Sequence, residues 1–164
     1  MWYMFHRLAR LPGTAYSIAG GFACGAAISF TPFVGLHFIL GGLWAWATRA
    51  NIIASAIGTA VGNPWTFPFI WIWIYKLGLW MGAGDPAAGD LDFARLFSDM
   101  VHATLNLDFA FLYDVVWPVW WPMFVGSLPT AVVAWFVFYW PLKVAVGTYQ
   151  RRRLQRRRKN LEKA

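Results

Sequence analysis

The side chains that could do chemistry begin with Arg49 and Asn51, which flank a single alanine. A guanidinium can bind a phosphate or carboxylate through two parallel hydrogen bonds, and a neighbouring amide can add another. The pair therefore predicts an anion-binding site. The alternative is an interfacial anchor, in which the long Arg49 side chain reaches a lipid phosphate and holds no substrate.

Ser55, Thr59 and Asn63 follow at a spacing of four residues, which would place them on one face of a helix. Such a polar line in an uncharged segment leads to the break in the helix and could face a ligand there. The same three side chains could instead hydrogen-bond a neighbouring helix and bind no ligand. The sequence leaves both interpretations open.

Two proline-containing stretches, residues 29–35 (SFTPFVG) and 62–68 (GNPWTFP), interrupt the apolar segments. Each proline lacks an N–H and releases backbone groups that lipid cannot satisfy. The predicted break positions are Pro32, Gly35, Pro64 and Pro68. Thr and Asn side chains can hydrogen-bond backbone groups that a break leaves without partners. In these two stretches the residues of this kind are Thr31, Asn63 and Thr66.

Each break follows a stripe of small residues at four-residue spacing: Ser17, Gly21, Gly25 and Ser29, then Ala54, Gly58 and Gly62. Small residues let helices approach closely, so we expect the two breaks to meet at membrane depth, where helix N-termini attract anions. His37 could shuttle a proton there or be an interior hydrogen-bonding residue. The candidate substrate-binding residues are Arg49, Asn51, Ser55, Thr59, Asn63, Thr66, Thr31 and His37.

The elements that must position these side chains are apolar helices. The chain of 164 residues is 59% hydrophobic and 20% aromatic, too apolar for an ordinary soluble domain. Residues 11–48, 50–75 and 115–142 carry no formal charge, and each run exceeds the roughly 20 residues that cross a bilayer. As one helix the first run would be about 57 Å long, so it must fold back. We expect an all-α integral membrane protein with a re-entrant hairpin, a Pro-broken spanning helix, an interfacial amphipathic helix and a final transmembrane helix.

Charge is segregated along the chain, and this segregation predicts the topology. Basic residues lie at both ends, whereas every aspartate lies between the second and third apolar runs. The positive-inside rule then places both termini in the cytoplasm. Four segments follow: a membrane core over residues 1–84, an acidic interfacial helix over 85–114 with Asp90 as its N-cap, a last transmembrane segment over 115–142 and a basic cytoplasmic tail over 143–164.

A second topology makes the second apolar run a closed hairpin too, which brings the acidic segment inside. It keeps the tail inside only if the last run also turns back, near residues 126–129. We favour the first topology, because it needs no such turn.

The tail is rich in cations, which suit anionic lipid headgroups. These cations are Arg151, Arg152, Arg153, Arg156, Arg157, Arg158 and Lys159. Nucleic acid is the weaker candidate partner for such a run beside a membrane span. Because no nucleophile motif, P-loop or dinucleotide fingerprint occurs and Cys24 is the single cysteine, we expect no enzyme, no cofactor and no metal site.

Gly25 with SFTPFVGLH (29–37), followed by RANIIASAIGTAVGNPWT (49–66), resembles the bacterial family catalogued as domain of unknown function 2062. The resemblance spans about the first half of the chain, to Gly84, and implies a bacterial inner-membrane protein without an established activity. A looser similarity links the chain to the DedA/VTT proteins, whose re-entrant hairpins are associated with moving lipids or polyprenyl-phosphate carriers between leaflets. Ser29 and Thr31 stand where those hairpins carry a glutamate, so the similarity does not imply proton coupling through a buried acid.

These observations favour a transporter or a translocase of lipids or polyprenyl-phosphate carriers, with its site at the paired breaks. The alternative is a structural or accessory subunit of a larger membrane complex, since the aromatic surface could pack against other helices. The expected partners are membrane lipids, with anionic headgroups at the tail, and either a second copy of the chain or a larger complex. A third and weaker hypothesis is an adaptor that acts through its basic tail.

Overall fold

The computed structural model describes residues 11–33, 35–85 and 109–161, and within these ranges it contains helices and no strand. The helices are α1 (Ala15–Ile28), α2 (His37–Ala47), α3 (Ile52–Gly58), α4 (Phe67–Trp80) and α5 (Phe109–Leu161). A 3₁₀ turn, Thr59–Val61, continues α3. The prediction of an all-helical protein is therefore confirmed.

The chain divides into two compact units, which we describe separately. Unit 1 comprises Met1–Ser29, Phe33–Gly62 and Ala131–Ala164, and unit 2 comprises Phe30–Pro32 and Asn63–Thr130. Helices α1, α2 and α3 belong to unit 1, α4 belongs to unit 2, and α5 contributes one part to each.

Helices α1 and α3 run parallel in unit 1 and approach closely through glycine. A Cβ on Gly25 would overlap the Ser55 carbonyl oxygen, and a Cβ on Gly58 would overlap the Phe22 carbonyl oxygen. The two backbones are therefore in direct contact, as small-residue stripes allow. Helix α2 lies between α1 and α3 in the chain and returns antiparallel to both. The Tyr16 hydroxyl, at the start of α1, accordingly donates to the Thr48 carbonyl at the end of α2 (3.3 Å).

The second half of α5 completes unit 1 by packing along α1. One cluster joins buried Ile18, Ala54 and Val146, and a second joins Ala19, Ala23 and Tyr139. Near the end of the helix, the Gln150 side-chain amide donates to the Gly13 carbonyl (3.0 Å). The second half of α5 and helix α1 therefore share the hydrophobic core of unit 1.

Unit 2 is an antiparallel pair formed by α4 and the first half of α5. Its core consists of Ile70, Ile74, Tyr75, Val119 and Met123, with Phe30 from the first break packed against it. The approach is again close, because a Cβ on Gly78 would overlap the Pro122 carbonyl oxygen and a Cβ on Gly126 would overlap the Ile74 carbonyl oxygen.

Helix α5 continues without interruption through residues 126–129 and onward into the basic tail as far as Leu161. The alternative topology required the last run to turn back at residues 126–129, and no turn occurs there. The acidic amphipathic helix with its Asp90 N-cap falls almost entirely on residues 86–108, which lie outside the described residues.

Among the described helices, one is both long and apolar enough to cross a membrane, and it covers Val116–Leu161. In its most apolar 18-residue window 33% of the residues are buried, so most of that surface faces outward. Helices α1 and α4 and the α3 segment through Val61 are apolar but shorter.

Candidate functional site

The small-residue stripe of α1 lies against the predicted polar line of α3. Gly25 contacts the Ser55 carbonyl, and the Ser29 hydroxyl donates to the Thr59 carbonyl (3.2 Å), a pair separated by the same number of residues. Ser55 and Thr59 are buried, with 0% and 1% of their surface exposed. Both side chains therefore lie in a helix interface, away from any open cavity.

The hydroxyl groups in this interface differ in their hydrogen bonding. Thr59 donates to the Ala56 carbonyl within its own segment (2.7 Å). The Ser55 hydroxyl is buried and has no hydrogen-bond partner among the described residues. A Cβ on Gly41 would lie 3.0 Å from it, so α2 closes over it and leaves no room for a ligand beside it.

The prediction that Ser55, Thr59 and Asn63 share one helix was wrong. Helix α3 ends at Gly58, the following turn tightens to 3₁₀, and Gly62 is extended with φ −83° and ψ 99°. An extended residue redirects the chain, so Asn63 does not continue the line.

Asn51 is the N-cap of α3. Its Oδ1 accepts from the Ala54 N–H (2.9 Å), and its Nδ2 donates to the Pro12 carbonyl (3.1 Å). Its own N–H donates to the Ser17 carbonyl (2.9 Å). The side chain therefore ties the start of α3 to α1 and its preceding turn, which stabilises the helix start.

The second break is a capping box. Asn63 Oδ1 accepts from the Trp65 and Thr66 N–H groups (3.0 and 3.1 Å), while Thr66 Oγ1 accepts from the Asn63 N–H (3.0 Å). Pro64 occupies the first position of this turn, where its missing N–H costs nothing. Pro68 lies in the first turn of α4 rather than in a break of its own. The oxygens that we predicted to face a ligand are thus bonded to the backbone of the break.

The first break runs from Ser29 to Leu36, between α1 and α2. Gly35 has φ +83°, which lets the chain turn sharply after Pro32. Thr31 is buried at 9% exposure. His37 begins α2, and its ring lies beside the neighbouring Phe38 ring, with centroids 4.7 Å apart and planes tilted by 35°.

Arg49 has the one left-handed backbone conformation among the described non-glycine residues, with φ 54°. It follows the end of α2 in a Schellman motif: the Arg49 N–H donates to the Trp46 carbonyl (3.0 Å) and the Ala50 N–H donates to the Ala45 carbonyl (2.7 Å). Helix α4 ends in the same motif, but with Gly82 (φ +81°) at the equivalent position.

The left-handed conformation costs a side-chain-bearing residue about 1–2 kcal/mol. The arginine is exposed, and no described residue accepts a hydrogen bond from its guanidinium. Unit 1 contains no acidic side chain within the described residues. Arg49 is thus an unpaired cation at a position where glycine would fit better, which marks it as a candidate functional residue.

An open apolar groove of about 450 Å³ lies on the outward face of α2. It is lined by Phe38, Ile39, Gly42, Leu43, Trp46 and Ile52. We refer to these six residues as the α2–α3 groove. Sequence reasoning missed it because it considered polar side chains alone. The recurrence of bulky apolar residues opposite Gly41 and Ala45 on α2 was the available signal.

The basic tail continues α5 as a helix, and Arg157 lies on it. The exposed tail cations are Arg151, Arg152, Arg153, Arg156, Arg158 and Lys159. No group of three or more His, Cys, Asp or Glu side chains within the described ranges could hold a metal ion.

Comparison with curated proteins and with solved structures gives no match, and the looser similarity to the DedA/VTT proteins is not supported. A bacterial family, described as "Uncharacterized protein conserved in bacteria (DUF2062)", matches residues 1–155. The match extends well past Gly84, where we expected the resemblance to end. Because it covers most of the chain, this protein belongs to the DUF2062 family of bacterial proteins.

Proposed function

We propose that this protein is a multi-pass protein of the bacterial inner membrane, that its α1–α2 hairpin is re-entrant, and that it translocates phosphate-bearing lipids or lipid carriers. One observation carries the proposal. Helix α1 has 14 residues and α2 has 11, so they extend only about 21 and 17 Å along their axes, whereas the hydrocarbon core is about 30 Å thick. An apolar antiparallel hairpin of that length enters a bilayer and returns to the same face.

The exposed apolar surface supports a membrane environment. Trp46, Trp65, Phe69 and Trp80 expose between 69% and 85% of their surface. In unit 1, the exposed side chains of Phe38, Ile39, Leu43 and Trp46 line one groove. A soluble monomer rarely exposes a large contiguous apolar patch, whereas lipid covers such surface without cost.

The prolines of α5 provide a second line of support. Pro118, Pro122, Pro129 and Pro141 all lie inside this one helix, and an internal proline costs a water-exposed helix about 3 kcal/mol. Membrane helices tolerate proline because neighbouring groups satisfy the released carbonyls.

The lipid substrate follows from what the site offers. The polar side chains at the breaks are bonded to the protein's own backbone, so they do not line a pathway for a soluble solute. On α2 and the connection that follows it, exposed apolar side chains lie close in sequence to the exposed Arg49, and this combination suits a molecule that is itself part apolar and part anionic.

Cysteine labelling tests the re-entrant hairpin. In a Cys24→Ala background, we expect Thr14→Cys and Ala47→Cys to react with a membrane-impermeant maleimide from the cytoplasmic side, and Leu36→Cys to stay unreactive in intact cells. Periplasmic labelling of the Leu36→Cys variant would show that the hairpin spans the membrane.

Translocation is tested separately in proteoliposomes that contain fluorescent phosphatidylglycerol and receive dithionite from outside. The wild type should bring more than the outer-leaflet half of the fluorescence within reach of dithionite, and Arg49→Gly should slow this loss at equal protein content. A wild-type trace that matches protein-free liposomes would refute translocation. Stable co-purification with a larger membrane complex, together with such a trace, would favour the accessory-subunit alternative.

A further inference from the structure

The geometry points to a binding site for an anionic phospholipid on unit 1, with an acyl chain in the α2–α3 groove and the phosphate on Arg49. The inference rests on the proposed membrane location of unit 1, but it does not require translocation. It places the lipid on the outer face of α2, away from the two breaks.

The groove is open and apolar, which suits a hydrocarbon chain that lies along the surface of the helix and remains in contact with the bilayer. Its volume is about 450 Å³. From Phe38 to Trp46 it follows α2 for about 12 Å, and its walls are almost entirely apolar. Phe38, Leu43 and Trp46 expose 57%, 55% and 69% of their surface there, so no other described part of the chain covers them.

The position of Arg49 selects an amphiphile. The connection between α2 and α3 joins the two helices that line the groove, and Arg49 lies three residues after Trp46 and three before Ile52. The connection that carries Arg49 therefore lies next to the end of the groove that Trp46 and Ile52 line. A ligand that fits both the apolar groove and the cation has a hydrocarbon chain with an anionic group at one end. An anionic phospholipid, with its acyl chain and phosphodiester, has that form.

The backbone on both sides of Arg49 is fixed by hydrogen bonds. The Schellman motif fixes the end of α2, and the Asn51 cap fixes the start of α3. Because unit 1 offers no acidic side chain among its described residues, the guanidinium remains available to an external phosphate. Gly82 shows that this chain uses glycine where only the turn is needed, so the arginine at the equivalent position is explained by its side chain.

The test uses the purified full chain in a neutral detergent, with phosphatidylglycerol as the probe and phosphatidylcholine as the reference lipid. Binding is measured as the lipid-dependent rise in melting temperature and as lipid retained in native mass spectrometry. Arg49→Gly removes the cation and keeps the turn, and should weaken phosphatidylglycerol binding roughly five- to tenfold. Arg49→Lys should retain part of it, and Lys76→Ala, which removes an exposed cation that lies outside the basic tail, is the matched control and should retain all of it.

Two variants test the groove itself. A Cβ on Gly42 would meet only an Ile52 methyl group, at 3.7 Å, so Gly42→Leu should fill the groove without displacing backbone and should abolish retention of both lipids. Leu43→Gln is the second variant, and it serves if Gly42→Leu disturbs folding. It keeps the side-chain volume similar but makes the wall of the groove polar, which should also weaken lipid retention.

Equal loss of binding in Arg49→Gly and Lys76→Ala would overturn the inference, because it would indicate unspecific attraction to net charge. Full retention in both groove variants would overturn it as well, as would a polypeptide co-purifying on this face that these variants release. The binding assay and the translocation assay can fail separately, because binding requires no movement between leaflets. A negative dithionite assay would refute translocation but not the lipid site, and a negative retention assay would refute the lipid site but not translocation.

Discussion

The left-handed backbone of Arg49 predicts that deleting its side chain makes the protein more stable. In Arg49→Gly, the strain of about 1–2 kcal/mol is relieved, while glycine loses about 0.5–1 kcal/mol more in chain entropy on folding. The net gain is about 0.5–1 kcal/mol, or a rise of roughly 2 °C in melting temperature for a chain of this size. Gly82→Ala is the reverse experiment, because its backbone has φ +81° in the same motif. It should lose a similar amount.

The assay is thermal unfolding of the full chain in a neutral detergent without added lipid, followed by tryptophan fluorescence. Arg49→Ala is the control, since it removes the cation but keeps a Cβ at the strained position, and it should gain nothing. If Arg49→Gly were no more stable than Arg49→Ala, or if Gly82→Ala were neutral, the assignment of strain to this position would be wrong. A gain in stability together with a loss of lipid binding would identify Arg49 as a residue retained for binding at a cost to the fold.

Three further changes test the packing and the breaks. Gly25→Ala should destabilise by about 1–3 kcal/mol, because its Cβ would overlap the Ser55 carbonyl, whereas Gly42→Ala should be near neutral; equal melting temperatures would contradict the close approach of α1 and α3. Ser55→Ala should stabilise by about 1 kcal/mol, since it removes a buried hydroxyl without a partner, and a clear loss in thermal unfolding would indicate a partner or a ligand there. Asn63→Ala should cost about 1 kcal/mol as a lost helix cap, and lipid retention measured on the folded variant should be unchanged; a selective loss of lipid would return this residue to the binding site.

The ends of α1 and α3 could be predicted from the sequence, because the stretches around Pro32 and Pro64 separate helices in the structure. Proline does not mark a helix end everywhere, since Pro118, Pro122, Pro129 and Pro141 lie within the continuous helix α5. The loss of its N–H is local, but whether the helix ends there depends on the packing around it.

The use of the polar side chains could not be predicted in the same way. The spacing of Ser55, Thr59 and Asn63 assumed a regular helix, but the chain tightens to a 3₁₀ turn and then extends at Gly62. Whether Asn51 and Asn63 bond backbone or a ligand depends on the nearest N–H groups, which only the packing determines. The α2–α3 groove was missed for a related reason. An apolar groove is formed by the spatial arrangement of common apolar side chains, and no particular residue type marks it in the sequence.

The arrangement of unit 1 has a consequence for how the protein is made. Its first helices leave the ribosome early, but the segment that covers Ile18 and Ala19 begins at Ala131, and the Gly13–Gln150 hydrogen bond joins residues 137 positions apart. Contacts that distant form late, after the intervening unit 2 has been synthesised. During that interval the uncovered face of α1 is available to lipid, to an insertion factor or to a second nascent chain. Premature termination before residue 131 therefore produces an N-terminal fragment in which the side of α1 that α5 covers stays exposed.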